Sequence, residues 1–168
     1  MITSTSNAQV KNMVRLLASS RERNRQGVFV AEGLRMVLET PRNMLVKCYA
    51  SETFLRSKEA KRAEFLEPEP VSDSVLKAMA DTQSPQGLLA VIRQPKYSLE
   101  ETLKRDGLYL LLEDINDPGN LGTMMRTGEG AGIAGLIMTR NTVDIFNPKV
   151  IRSTMGGIFR VPFVVVND

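Results

Sequence analysis

The feature that most restricts what this chain can fold into is the stretch from Leu108 to Gly132. It opens with an uninterrupted apolar run, Leu108 to Leu112, ends that run at Glu113, and passes through the turn residues Asp114 to Asn120. Apolar positions at helical spacing follow, from Leu121 to the glycines at 128, 130 and 132. A short apolar run stopped by turn chemistry and followed by such a periodicity predicts a buried strand, a loop and a helix. In an open α/β sheet that loop lies beyond the carboxyl ends of the strands, where ligands bind. Asn120 falls at the expected helix N-cap and Arg126 six residues later, so a basic group and helix N-terminal amides converge on the crevice and suit an anionic substrate. A structural ion pair is the other reading of Arg126.

The rest of the second half repeats the pattern. Strands are expected at 108–113, 135–139 and 161–166, with helices at 121–131 and 147–155 between them. A three-stranded parallel sheet with two helices leaves one flank uncovered, whereas parallel sheets are normally covered on both faces, so 108–168 reads as the first half of a domain. Ahead of it, Pro95 ends a strand, and Ser98 with Glu101 forms a capping box in a linker over 98–107.

Residues 1–97 form a separate α/β unit. A helix over 7–20 carries Val10, Met13, Val14 and Leu17 on one face and Lys11 and Arg15 on another. It runs into a polar loop with Arg21, Arg23 and Arg25 on alternate positions, either a clamp for a phosphate backbone or a solvated loop. Strands at 28–31, 44–50 and 87–92 alternate with helices at 32–39, 51–66 and 74–80.

Composition narrows the chemistry. The chain has 168 residues, no His and one Cys. Ser-His and Cys-His triads are therefore excluded, and a zinc site would need carboxylates almost alone. Cys48 lies in an apolar run and reads as a small buried hydrophobe. No apolar run reaches the roughly 20 residues of a membrane helix, and the N-terminus lacks a secretory pattern, so a cytoplasmic protein is expected. Positions 1–97 hold 15 Lys and Arg against 10 Asp and Glu, while 98–168 hold 7 against 9. The basic excess thus belongs to the first unit, and phosphate attraction is its commonest cause. The glycines do not form a dinucleotide fingerprint or a phosphate loop: Gly119 and Gly122 alone follow the strand, and Gly128, Gly130 and Gly132 end the helix.

A second cluster spans Asp144 to Pro162. Asn147 caps, Pro148 suits the first helical position and Gly156-Gly157 ends the helix. Local rules leave open why Lys149, Arg152 and Arg160 crowd this unit with no carboxylate after Asp144.

Together these stretches resemble the first two motifs of the SpoU, or TrmH-like, family of RNA ribose 2′-O-methyltransferases. The first is Asn116-Asp117-Pro118-Gly119-Asn120-Leu121-Gly122-Thr123 with Arg126, Thr127, Glu129 and Gly132; the second is Asn147-Pro148-Lys149 with Arg152, Met155, Gly156, Phe159, Arg160 and Pro162. Thr154 stands where the family usually has serine. Phe29-Val30-Ala31-Glu32-Gly33 and Thr82-Gln83-Ser84-Pro85-Gln86-Gly87 resemble, more loosely, the RNA-binding domain that precedes the catalytic domain in many members.

The resemblance implies a parallel-sheet α/β knot, S-adenosylmethionine as methyl donor, a ribosomal or transfer RNA substrate and a homodimer, without a metal. It also implies that Arg126 activates the ribose 2′-hydroxyl, that Asn120 positions Arg126 or the ribose, and that Lys11, Arg15, Arg21, Arg23, Arg25, Lys149 and Arg152 meet RNA. The family's third motif, a Gly-x-Glu and a Ser-Leu-Asn segment that completes the knot and the donor pocket, is not found in these 168 residues, so little catalysis is expected of them alone. The alternative is a non-catalytic RNA-binding or assembly protein that works through 1–97.

Overall fold

A computed structural model of the chain describes residues 1–103 and 106–167; Lys104, Arg105 and Asp168 lie outside the described residues, the first two inside the expected linker. The chain separates into two units, Met1–Gln94 and Pro95–Asp168. The division falls after Gln94, ahead of the segment read as a linker.

In the first unit the elements run α1 (Ala8–Ala18), α2 (Ser20–Gln26), β1 (Val28–Glu32), α3 (Leu34–Leu38), β2 (Leu45–Ser51), α4 (Glu52–Leu55), α5 (Ala60–Ala63), β3 (Glu69–Val71), α6 (Asp73–Ala78) and β4 (Leu88–Arg93). The sheet order is β1-β4-β2-β3, antiparallel except for the parallel β2–β3 pair. Side chains alternate across a strand, so Val30, Leu89 and Val91 face α1 and α6 in a core with Val10, Met13, Leu16, Leu76 and Met79. Phe29, Ala31, Leu88, Ala90 and Ile92, also buried, take the opposite face.

Three local expectations are corrected here. Leu16, not Val14, completes the apolar stripe of α1: Leu16 is fully buried while Val14 is 43% exposed. The single helix expected over 51–66 is broken after Leu55, where Arg56 N–H donates to the Glu52 carbonyl and Ser57 N–H to the Phe54 carbonyl, ending the turn. Strand β3 is an addition to the expected strands. It contains Pro70, yet it lies at the sheet edge, where a proline costs no ladder bond; the Pro70 carbonyl instead accepts from Ile2 N at 2.9 Å.

The second unit holds α7 (Leu99–Thr102), β5 (Tyr109–Leu112), α8 (Pro118–Gly130), β6 (Gly135–Thr139), α9 (Pro148–Thr154) and β7 (Phe163–Val166). The sheet is parallel, in the order β5-β6-β7. This is the α/β arrangement expected for 108–168. The capping box forms, with Ser98 Oγ accepting from Glu101 N and Glu101 Oε2 accepting from Ser98 N. Thr102 is buried, and its Cγ2 fills the space beside Gly135. Leu121, Met125, Leu136, Met138, Val150 and Ile151 form the interior between helices and sheet. Among the described residues no helix is long and apolar enough to cross a membrane.

Candidate nucleic-acid interface and methyl-transfer site

At the carboxyl edge of the parallel sheet, the loop after β5 is tied to the end of β6. Asp114, in the left-handed region at φ 50°, donates its N–H to Thr139 Oγ1 at 3.0 Å, and the Thr139 hydroxyl donates to Asp114 Oδ1 at 3.1 Å. Val143 N–H donates to the Ile115 carbonyl at 2.8 Å, which joins the loop before α9 to the same platform. These bonds fix where α8 begins.

The helix cap is Asp117, not Asn120. Asp117 Oδ1 accepts from Asn120 N at 2.7 Å, and Pro118 takes the first helical position, where a missing N–H costs nothing. Asn120 is therefore in the first turn, with its side chain exposed. The six-position step from Asn120 to Arg126 puts them about 120° apart around the helix and about 9 Å apart along it. They do not share a face of α8.

Arg126 is exposed and has no hydrogen bond or ion pair among the described residues. The structural ion pair weighed for it is not there. On its flank of α8, one turn from Gly122, the helix meets α9. Gly119 lies on this flank too, and the Lys149 Cε reaches to 3.9 Å from where a Gly119 Cβ would be. Lys149 thus leans over the start of α8 on the side that carries Arg126. Asn147 caps α9 as expected, accepting from Lys149 N at 2.9 Å. Arg152 is half-buried on the same helix. Arg160 has the carboxylate that its neighbourhood in sequence lacked: Glu129 of α8, bound through Nε and, at 3.1 Å, through Nη2.

In the first unit the basic residues divide. Lys11 and Arg15 are exposed and border a hollow of about 430 Å³ beside Val14 and Ala78. Arg21, Arg23 and Arg25 are not on a loop: Ser19 caps the short helix α2, Gly27 ends it at φ 64°, and only Arg21 and Arg25 face out. Arg25 is paired with Glu22 at 2.7 Å, a bond that pulls the Glu22 carboxyl below its ordinary range. Arg23 is 3% exposed and donates from Nη1 to the Leu16 carbonyl at 2.7 Å and the Leu17 carbonyl at 3.1 Å. It closes the C-terminal end of α1 and is withdrawn as a phosphate contact.

The two stretches that carried the looser resemblance come together. Glu32 Oε2 accepts from Asp81 N at 3.3 Å and Oε1 from the Thr82 hydroxyl, while Gly33 at φ 92° leaves room for Gln86, whose Oε1 would stand 2.8 Å from a Cβ there. Glu32 and Thr82 are 50 residues apart, so their pairing follows from the β1–β4 register rather than from either stretch.

Cys48 is buried, and desolvation pushes its thiol up to about 12; it is a packing residue. No group of three or more Cys, Asp or Glu that could hold a metal ion occurs among the described residues. Among the described residues the Thr142 hydroxyl, buried in the loop after β6 at the carboxyl edge, has no hydrogen-bond partner. It fits a ligand able to hydrogen-bond there.

Residues 107–168 match the model of the SpoU rRNA Methylase family, and residues 7–90 match that of the MRM3-like substrate binding domain. The chain is 33% identical over 169 residues to the 23S rRNA (guanosine(2553)-2′-O)-methyltransferase RlmP of Bacillus subtilis, a match that covers 97% of this chain and 64% of that protein. The structure is similar to that of the SpoU methyltransferase AviRb from Streptomyces viridochromogenes in complex with AdoMet, with a TM-score of 0.84 and 26% identity over 96% of this chain and 64% of that one. It is also similar to the AdoMet-bound rRNA methyltransferase from Sinorhizobium meliloti, with a TM-score of 0.82 and 27% identity over 99% and 64% of the two chains. The chain therefore spans just under two thirds of the length of these relatives.

Proposed function

Since this chain belongs to the SpoU rRNA methylase family and carries an MRM3-like substrate-binding domain, we propose that it binds RNA and methylates a ribose 2′-hydroxyl. The observation that carries the reading is Arg126: an exposed guanidinium with no carboxylate partner among the described residues, on the flank of α8 over which Lys149 leans.

S-adenosylmethionine, when bound, supplies an electrophilic methyl group, and the unpartnered Thr142 hydroxyl supports its seat at the carboxyl edge. A guanidinium is a poor base at neutral pH, so Arg126 does not take the hydroxyl proton itself. It binds the phosphate next to the reacting ribose and steadies the negative charge that grows on the 2′ oxygen as the proton passes to that phosphate. Asn120, on another flank of the helix, meets the ribose rather than Arg126. Lys149 and Arg152 on α9, with Lys11, Arg15, Arg21 and Arg25 on the first unit, supply further phosphate contacts, which hold register without reading sequence.

The protein works in the cytoplasm on ribosomal or transfer RNA, as a homodimer. Leu111 is exposed, and Ile137 and Val164, its register partners on the same face of the parallel sheet, are half-buried, which supports an apolar surface of the second unit that another chain covers.

The test supplies the protein with methyl-labelled S-adenosylmethionine and ribosomal or transfer RNA, then looks for label in alkali-resistant dinucleotides. Label there, abolished in Arg126→Ala with the fold kept, is the expected result. Absence of transfer, or a variant as active as the parent, overturns the reading. RNA binding without transfer, sensitive to the basic residues of the first unit, would favour the assembly-protein alternative.

A further inference from the structure

The Arg126 side chain has no partner among the described residues, although a carboxylate stands within its reach along the helix. Residues three apart on a helix surface are neighbours, their Cβ atoms about 5–6 Å apart, and Glu129 is three residues on from Arg126. Arg–Glu pairs three positions apart do form on helices of this chain, Arg25 with Glu22 and Arg62 with Glu59, each at 2.7 Å and with the glutamate first. At Arg126 no such pair forms, and Glu129 is bound elsewhere.

Arg160, 31 residues away, binds the Glu129 carboxylate through Nε and Nη2, and the same Nη2 donates to the Met155 carbonyl at 3.2 Å. The fork is thus fixed to the turn that ends α9. The carboxylate is drawn toward that turn and lies over Gly157, where a Cβ would come within 3.2 Å of Glu129 Oε2. A glycine there is what admits it. Arg160 is 46% exposed and Glu129 28%, so the pair is half-screened and its direct contribution to stability is small. Its larger consequence is electrostatic.

We propose that Arg160 is a positioning residue for Arg126: by holding Glu129 against the α9 turn it leaves the Arg126 guanidinium uncompensated and directed to a phosphate. This rests on the reading of Arg126 as the group that meets RNA phosphate. Without Arg160, Glu129 swings along α8 to Arg126 and competes with that phosphate.

The test has one readout that needs no RNA. In the 15N-labelled chain, the Arg126 Nε–Hε resonance reports whether the guanidinium is ion-paired. It is expected to stay in place in Glu129→Gln, to move in Arg160→Gln, and to return in the double variant Glu129→Gln/Arg160→Gln. Arg160→Lys, which keeps a cation for Glu129, is expected to retain most of the parent position. An unmoved resonance in Arg160→Gln overturns the proposal, as does one displaced by Glu129→Gln alone; the latter variant decides the matter even where Arg160→Gln fails to fold.

The second readout is affinity for a fluorescein-labelled ribosomal RNA hairpin at low salt. Arg160→Gln is expected to weaken it about two- to fivefold, the range of one surface ion pair, with the double variant restored. Failure of the double variant to recover overturns the proposal. A parent chain that does not bind the hairpin, with the resonance behaving as expected, overturns the RNA reading and leaves the Glu129 competition standing.

Discussion

Gly122 of α8 lies so close to α9 that a Cβ built on it would stand 2.5 Å from the Ser153 Cβ and 2.6 Å from the Val150 carbonyl oxygen. Both distances are far inside van der Waals contact, and the second is to backbone. The helices that carry Arg126 and Lys149 can approach this closely only because position 122 has no side chain.

Gly122→Ala should therefore force α8 and α9 apart. Overpacking of a tight interior contact costs about 1–3 kcal/mol, to be read as a lower urea midpoint with an unchanged slope. Gly130, on the same helix, has nothing within 4 Å of its Cβ direction. Gly130→Ala should be neutral or stabilising by up to about 1 kcal/mol, since alanine is the better helix former. A Gly122→Ala variant as stable as Gly130→Ala would show that helix propensity, not the α8–α9 approach, governs position 122.

The acid side of the stability profile should depend on Asp73. The Thr53 hydroxyl donates to Asp73 Oδ2 at 2.8 Å and the Thr53 N–H to Oδ1 at 3.2 Å, and the hydroxyl bond chiefly holds this carboxyl below its ordinary value. A carboxyl depressed on folding stabilises above its unfolded pKa, about 3.9 for Asp, and that contribution is lost as pH falls through the lower folded value. Urea unfolding between pH 6 and pH 2 should show an acid-dependent decline for the parent that is shallower in Asp73→Asn, while at pH 6 the variant is the less stable of the two. Parallel profiles would mean the Thr53 bonds do not survive in solution.

What local rules reveal differs between the halves for a physical reason. In the second, each strand is a short apolar run bounded by turn residues, and β6 has the bounds its sequence predicts, Gly135–Thr139. Caps are harder to place because Asp117 and Asn120 are both capable of the role. Pro118 is the deciding signal, since proline favours the position directly after the cap. The segment with Arg21, Arg23 and Arg25 reads as a loop because it lacks apolar residues, yet Ser19 with Glu22 and Gly27 spell a helix start and stop. No local rule reaches the pairing of Glu129 with Arg160 or of Glu32 with Thr82, which tertiary folding brings together over 31 and 50 residues.

The last prediction separates arginines that hold the first unit together from those that meet a ligand. Arg23 is buried with its guanidinium on the Leu16 and Leu17 carbonyls, at the point where α1 ends and its last carbonyls have no helical donor. Arg21, two residues earlier on α2, is exposed. Arg23→Ala leaves buried acceptors without their charged donor and should cost about 2–3 kcal/mol in urea unfolding, whereas Arg21→Ala should stay within about 0.5 kcal/mol. RNA binding should invert this order. With both variants folded at low temperature, Arg21→Ala should reduce the dependence of log affinity on log salt by about 0.7–0.9, because one RNA phosphate is then no longer neutralised and keeps its counterion. Arg23→Ala should keep the parent slope. A slope lowered by Arg23→Ala and untouched by Arg21→Ala would return the buried arginine to the interface and remove α2 from the surface that RNA meets.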